Sequence, residues 1–249
     1  MKKLMAILAI FLYVVFASFS AFSQEKEEKT AVSVNFGVGS VQHEWDTGES
    51  EFHHPISFAS LKLERKLGKK VYGCFEVLGQ FALTRKSPNK GERLELGGCL
   101  VYKPTKTVKV ETSFTNYRMR DFSVRKFAVV VSKEWELREK VSTEAYNNLM
   151  IFSGSDKHHK TGFLNKVGIS TTFKPSRKVK VVGDFSLGGD NAPLEFKKPT
   201  ATLFLKLRAE KKITAHSSVF GEWRYSKPFT DTRHTISSFQ AGMNFHFGF

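Results

Sequence analysis

Polar and apolar side chains alternate with a period of two along the chain, from about residue 30 to the last residue. The final stretch shows this most clearly, because its two faces differ in every position. The apolar face carries Phe239, Ala241, Met243, Phe245, Phe247 and Phe249, and the other face carries Ser238, Gln240, Gly242, Asn244, His246 and Gly248. Alternation of this length predicts β-strands with one apolar and one polar face.

Short basic segments interrupt the alternation at regular intervals. Five such segments are Lys66–Val71, Tyr102–Val108, Glu136–Val141, Phe173–Val179 and Arg208–Ile213. Their spacing of roughly 35 residues is the length of one strand hairpin with its connections. More variable polar connections lie between them, at Asp46–Phe52, Arg85–Glu92, Met119–Phe122, Gly154–Lys160, Gly189–Lys198 and Ser226–Arg233. With no linker dividing the chain, we expect one all-β domain of about twelve strands (10 to 14) over residues 30–249.

The first 23 residues have the pattern of a secretory signal peptide. Lys2 and Lys3 precede an apolar run, Leu4–Phe16, and Ala21 and Ser23 place small side chains before a cut at Gln24. We therefore predict a cleaved signal at 1–23 and a short segment at 24–29 ahead of the domain. The alternative is an uncleaved membrane anchor, because residues 4–23 carry no charge.

Composition excludes two broad classes of protein. With 41% apolar and 25% charged residues, the chain is too apolar for a disordered protein and too charged for a helical membrane protein. The longest apolar run after residue 23 is Phe127–Val131, far short of the roughly 20 residues that a spanning helix requires.

The apolar face of the predicted strands must contact either lipid or a protein core. A secreted β-sandwich would bury this face against a second sheet. A closed membrane barrel would turn it toward lipid, and strands of about 9–11 residues are long enough to cross a bilayer. Aromatic residues near the predicted strand ends favour the barrel, since they resemble interfacial girdles; they are Trp45, Tyr102, Trp135, Phe173, Trp223, Tyr225 and Phe249.

The C-terminal residues resemble the insertion signal of bacterial outer-membrane β-barrels. In that signal a polar residue is followed by a glycine and then by alternating aromatic residues, and Gln240, Gly242, Phe245, Phe247 and Phe249 fit this order. The resemblance implies a closed antiparallel barrel in the outer membrane of a Gram-negative bacterium, in contact with outer-membrane lipids and lipopolysaccharide. It also implies insertion by the barrel-assembly machinery, with the basic tight turns in the periplasm.

The polar face of such a barrel lines its lumen and supplies the candidate functional residues. The basic candidates are Lys62, Arg93, Lys109, Lys126, Lys166, Lys178, Lys180, Lys206, Arg208 and Arg224, and the acidic ones are Glu64, Glu76, Glu95, Glu111, Glu134, Glu144, Asp184 and Glu222. Twelve strands enclose more space than a filled eight-stranded barrel and less than an open porin. We therefore expect a narrow porin-like channel, with no cofactor or metal, for small and preferably anionic solutes.

Basic residues in the variable connections support the anion preference, because a positive mouth concentrates anions. They are Arg85, Lys86, Lys90, Arg118, Arg120, Arg125, Lys157, Lys160, Lys197, Lys198 and Arg233. Two alternatives remain: these charges contact lipopolysaccharide phosphates, or the lumen is closed by ion pairs and the barrel is structural or adhesive. Nucleic acid is not expected as a partner, because the positive charge is spread over both ends.

Cys74 and Cys99 lie on the polar faces of two strands joined by the Arg85–Glu92 connection. A hairpin centred near residue 87 would place them opposite each other, within disulfide reach. We predict a disulfide, with two free thiols as the alternative.

Hydrolytic activity is a weaker hypothesis. His216, Ser218, Asn244 and His246 could form a lipase-like site but would lie at the periplasmic end, whereas barrel phospholipases act at the outer leaflet. Rim residues of the omptin protease kind are Asp156, His158, His159, Asp190, Asp231 and His234, without a paired motif. His53-His54 and His158-His159 could also bind a surface metal, although adjacent loop histidines are usually only solvated.

Overall fold

The computed structural model describes residues 30–44, 52–83, 93–118, 123–154, 162–190, 200–229 and 235–248. These residues form twelve strands: β1 Thr30–Glu44, β2 Phe52–Lys66, β3 Val71–Ala82, β4 Arg93–Tyr102, β5 Val108–Arg118, β6 Ser123–Arg138, β7 Val141–Gly154, β8 Gly162–Ser176, β9 Val179–Asp190, β10 Thr200–Lys212, β11 Ser217–Pro228 and β12 Thr235–Gly248. Each strand pairs with its neighbours in sequence, and β1 pairs with β12, so the sheet is a closed antiparallel barrel. The prediction of fold class and strand number is confirmed.

The barrel carries its large apolar side chains on the outside. Phe36, Leu100, Phe114, Phe185 and Leu207 are each between 44% and 55% exposed, although they lie in the middle of strands. A soluble sandwich would bury such residues between its sheets. The secreted sandwich considered above is therefore wrong, and the apolar face points away from the enclosed space. No helix among the described residues is long and apolar enough to cross a membrane.

The two ends of the barrel differ in the length of their connections. Strands β2 to β11 are joined in pairs by connections of two to five residues at the end where β1 begins and β12 ends, which we call the turn end. The connections at the opposite end, the loop end, fall largely outside the described residues. In antiparallel membrane barrels the short turns are periplasmic and the longer loops extracellular.

One predicted turn lies at a different position. The sequence places a turn over Arg208–Ile213, but β10 continues to Lys212 and the chain reverses at residues 213–216. Arg208 and Glu210 therefore pair with Glu222 and Phe220 on β11. These charged residues have the composition of a surface turn. A run of charges looks the same in the sequence whether its side chains face solvent outside the barrel or water inside it.

The closing seam between β1 and β12 depends on two glycines that lie opposite each other, Gly37 and Gly242. A Cβ on Gly242 would lie 2.2 Å from the carbonyl oxygen of Phe36 and 3.0 Å from Cα of Gly37. A Cβ on Gly37 would meet the backbone of β12 and, at 2.8 Å, the ring of Phe58. Glycine is required here because the two backbones approach too closely for any side chain.

A disulfide joins Cys74 and Cys99 across β3 and β4, where the two residues are directly paired with a Cα–Cα distance of 4.9 Å. This is the pairing that the sequence predicts. Neither cysteine is free in the structure.

Replacing Gly242 with alanine should weaken the seam, because the added methyl group collides with backbone rather than with a movable side chain. We expect a loss of about 1–3 kcal/mol in the free energy of unfolding, as for other overpacked sites. Urea unfolding in detergent micelles measures it. Gly183→Ala is the matched control, since nothing lies within 4 Å of its added Cβ; equal losses in both variants would contradict the role of the seam.

The disulfide should be detectable by counting thiols. Denatured, unreduced protein should react with no thiol reagent, and the same protein after reduction should show two thiols. Because the bond closes a loop with a sequence separation of 25, reduction should lower the free energy of unfolding by about 3 kcal/mol on the loop-entropy estimate. A count of two thiols before reduction would show that the bond is absent.

Candidate functional site: the charged lumen

The alternation places one face of every strand inside the barrel, and charged side chains pair along that face. Lys62 contacts Glu64 at 2.7 Å and Lys109 contacts Glu111 at 3.6 Å, each pair separated by two residues on one strand. Arg93 and Glu95 form an ion pair of the same kind. Such pairs follow directly from the period of two, because residues i and i+2 share a face.

Glu222 is the centre of the strongest charge cluster. Its carboxylate lies 2.5 Å from Arg224, 3.3 Å from Lys206 and 3.4 Å from Arg208, and the residue is only 2% exposed. The register between β10 and β11 creates this arrangement, since it pairs Lys206 with Arg224 and Arg208 with Glu222. Burying a carboxylate costs free energy that close cations offset.

The Glu222 cluster carries more positive than negative charge. Three cations contact one carboxylate, and Arg208 also contacts Glu210 at 3.5 Å. The side chain of Arg224 remains 56% exposed and that of Lys206 38% exposed. Glu222 therefore holds these cations in place while their remaining N–H groups face the lumen.

A second cluster surrounds Asp184 on the neighbouring strands. Tyr146 donates a hydrogen bond to both carboxylate oxygens at 2.9 Å, and Ser186 donates at 3.4 Å. Lys166 approaches the same carboxylate at 3.9 Å and lies over the rings of Phe204 and Tyr146. Asp184 thus accepts its shortest hydrogen bonds from hydroxyl groups. Because Lys166 lies farther from the carboxylate, its positive charge is only partly offset and can act on a solute in the lumen.

A central cavity of about 440 Å³ lies between the two walls of the barrel. One wall supplies Glu76, Arg93, Glu95 and Lys126, and the opposite wall supplies the Glu222 cluster. Tyr117 positions two cations of the first wall, because Arg93 lies 4.3 Å and Lys126 5.2 Å from the centre of its ring.

Two aromatic rings also line this cavity. Phe58 and Phe220 point inward from β2 and β11, and their ring centres are 6.2 Å apart. The two rings meet on the inner face of β1 and β12, over Gly37 and Gly242. These glycines have no side chains, which leaves room for the rings. Arg208 lies over the Phe220 ring at 4.1 Å. A solute that crosses the lumen would therefore pass a ring face next to a guanidinium.

All of the lumen candidates predicted from the sequence except Glu134 and Glu144 border one of four cavities inside the barrel or at its turn end, and Glu64 borders the smaller of the two at the turn end. The central cavity takes Glu76, Arg93, Glu95, Lys126, Arg208, Glu222 and Arg224. A cavity of about 450 Å³ beside it takes Lys166, Asp184, Lys206 and again Arg224. A turn-end cavity of about 650 Å³ is bordered by Lys62, Lys109 and Glu111. A second turn-end cavity, of about 770 Å³, is bordered by Lys178 and Lys180. Lys178 lies in the turn after β8 rather than within a strand.

The C-terminal residues divide between the two faces. Gln240 borders the central cavity and Gly242 lies in the seam. Phe245 stacks on Phe36 with ring centres 5.8 Å apart, and Phe247 stacks on His216 at 6.0 Å. Phe249, the predicted signal peptide and most of the predicted rim residues lie outside the described residues, whereas Arg118, Arg125 and Asp190 lie in β5, β6 and β9.

Sequence reasoning missed several residues of the lumen. Glu210 was assigned to a turn, although its parity with Arg208 would have placed it inside. Phe58, Phe220 and Tyr117 were missed because an aromatic residue in a strand indicates a lipid contact as readily as a lumen contact.

The residues considered for a lipase-like site lie close together, since Ser218 pairs with Asn244 across β11 and β12, but within the described ranges no hydrogen bond joins Ser218 to a histidine. Ser218 donates its hydrogen bond to Glu210 rather than to a histidine. His246 contacts Ser33 at 3.0 Å, and His216 contacts the backbone oxygen of His246. Within the described ranges, no three His, Cys, Asp or Glu side chains are close enough to bind a metal.

No protein-family model matches the chain, and no curated protein matches its sequence. Solved structures do match its fold. It is similar to an outer-membrane channel from Pseudomonas putida F1 (TM-score 0.61, 11% identity, 90% of this chain and 97% of that one). It is also similar to the β domain of the Bordetella autotransporter BrkA, with a TM-score of 0.60, 13% identity and coverage of 88% of this chain and 100% of that one. A third similar structure is the KdgM porin, with a TM-score of 0.53, 8% identity and coverage of 86% of this chain and 98% of that one. The chain therefore has the fold of bacterial outer-membrane β-barrel proteins.

Proposed function

We propose that the chain forms a porin-like channel in a bacterial outer membrane, through which small anionic solutes diffuse. The observation that carries this proposal is the Glu222 cluster, where Lys206, Arg208 and Arg224 share one buried carboxylate and border the inner cavities. A lumen wall with excess positive charge favours anions, because charged groups inside a pore set its selectivity.

The apolar outer face supports the membrane location. Without water in the hydrocarbon region, a spanning sheet must satisfy all of its backbone groups, and closure of β1 on β12 does this. The N-terminal signal at 1–23 would export the chain, and the C-terminal aromatic residues would direct its insertion by the barrel-assembly machinery. The turn end would then lie in the periplasm, as in other membrane barrels.

The similar structures agree with a channel that accepts anions. One of them is the KdgM porin in complex with disordered oligogalacturonate, a chain of carboxylated sugars. Another is the NanC porin (TM-score 0.53, 9% identity). At these identities the likeness supports the architecture, and the anion preference rests on the residues of this lumen.

A non-conducting barrel is the second candidate, and it is favoured by the Phe58 and Phe220 rings, which border the central cavity with their centres 6.2 Å apart. In that case the ion pairs of the interior would serve as a structural plug. Conductance in planar bilayers separates the two functions: discrete current steps support the channel, and silence from correctly folded protein supports the plug.

The selectivity should follow individual lumen charges. Arg224→Gln removes an exposed positive charge from the central cavity and should lower the anion-to-cation permeability ratio by about sevenfold, because one unit charge at about 7 Å in water changes the energies of an anion and a cation by about 0.6 kcal/mol in opposite directions. Glu76→Gln removes a negative charge from the same cavity and should raise the ratio. Reversal potentials in a salt gradient measure the permeability ratio of each variant. Identical ratios in the wild type and both variants would refute the proposal that these lumen charges set the selectivity.

The lipid-facing side should reject charge at mid-strand. Phe185 points outward from the middle of β9 and is 52% exposed, so Phe185→Arg should cost about 2–4 kcal/mol in lipid vesicles. The control is Ser170→Arg, which places the same charge on the inward face beside Asp184. Urea unfolding of the vesicle-inserted proteins compares them, and a larger loss for Ser170→Arg would reverse the assignment of faces.

A further inference from the structure

The larger of the two turn-end cavities, of about 770 Å³, lies between the ends of β7, β8, β9 and β10. We call it the basic cavity, because six cations border it: Lys140, Lys174, Arg177, Lys178, Lys180 and Lys212. Two carboxylates, Glu139 and Glu210, also border it. It lies apart from the central cavity and shares no cation with it.

The cations of the basic cavity differ from most of those in the central lumen in forming no ion pair with a described carboxylate. Among the described residues, no carboxylate oxygen lies within 4 Å of any of the six charged groups, whereas Arg93, Arg208 and Arg224 are all paired. Glu210 does not compensate them, because it already contacts Arg208 and accepts a hydrogen bond from Ser218. Of the two carboxylates in the described cavity lining, Glu139 is the one that forms no ion pair.

Backbone hydrogen bonds hold the strand ends that carry these cations. Lys174 N–H donates to the carbonyl of Lys140 at 2.9 Å, and Lys212 N–H donates to the carbonyl of Lys178 at 2.7 Å. The backbone positions that carry these cations are therefore held next to one another by the strand pairing. Like charges held in this way repel one another, and an anion with several charges removes the repulsion.

We propose that the basic cavity is a binding site for compact anions carrying several negative charges, such as phosphate or carboxylate groups on one small molecule. Lysine ammonium groups supply rotatable donors for such groups, and Arg177 supplies a planar guanidinium that binds two oxygens at once. Lys180 and Lys212 belong to the lumen face by strand alternation, so the site opens to water inside the barrel rather than to lipid. This assignment deepens the proposed function, on which it rests: the site would gather anions at the turn-end mouth of the channel.

Isothermal titration calorimetry of the mature protein in nonionic detergent tests the site without requiring conduction. The probes are tripolyphosphate for the phosphate class and citrate for the carboxylate class, with chloride as the singly charged reference. At low salt we expect saturable binding of at least one multivalent probe, weakened steeply by added salt. Lys174→Gln, Lys180→Gln and Lys212→Gln combined should reduce that affinity about tenfold or more, because each exposed ion pair that is lost weakens binding by up to about fivefold.

The matched control removes three cations from the same end of the barrel but outside the cavity: Lys69, Lys106 and Lys211, each replaced by glutamine. It should retain wild-type affinity within about twofold if the cavity, rather than the general charge of this end, binds the probe. Unheated electrophoretic mobility establishes that both triple variants are folded barrels. Equal weakening by the two triple variants, or no saturable binding by the wild type, would overturn the proposal.

A bilayer measurement separates this site from the channel function. If the channel conducts and the site exists, tripolyphosphate or citrate added on the turn-end side should block current at lower concentration than from the other side, and the cavity variant should lose this difference. Conduction with anion preference but without calorimetric binding would refute the site alone. Calorimetric binding by a barrel that never conducts would refute the channel and leave the site intact.

Discussion

Closure of the sheet is the constraint on which the rest of this structure depends. Because β1 pairs with β12, no strand edge is left open, and the apolar face can turn outward without exposing unpaired backbone groups to lipid. The seam is formed by facing glycines, since any side chain at Gly37 or Gly242 would collide with the opposite backbone. The same glycines make space for Phe58 and Phe220, so the closure that seals the barrel also brings these two rings together inside the lumen.

Closure also decides the chemistry of the interior. Polar residues that would be a solvated surface in an open sheet are gathered around a small volume of water, where charges lie close together and interact strongly. The lumen resolves this crowding in two ways: carboxylates such as Glu222 are surrounded by cations in the middle, whereas the cations of the basic cavity at the turn end form no ion pair with a described carboxylate. Under the proposals above, ion pairs stabilise the middle of the wall, and the mouth at the turn end would bind anions.

Local pattern predicted the fold well. The period of two assigned each strand face, and the spacing of basic segments counted the hairpins, because both are properties of consecutive residues. The disulfide partners were also predictable, since Cys74 and Cys99 belong to one hairpin and a single turn sets their register. The turn after β10 was misplaced because Arg208 and Glu210 have the composition of a surface turn, although they face water inside the barrel.

By itself, the sequence determined the class of fold, the approximate strand number and the face on which most of the charged strand residues lie, because these depend on alternation along the chain. Only the tertiary structure decided which charges meet across strands and across the lumen. The grouping of Lys206, Arg208 and Arg224 on Glu222 depends on the register of β10 against β11. The approach of Phe58 to Phe220 depends on closure between the first and last strands. Register and closure bring together residues far apart in the chain, and the alternation of neighbouring residues carries no information about those distances.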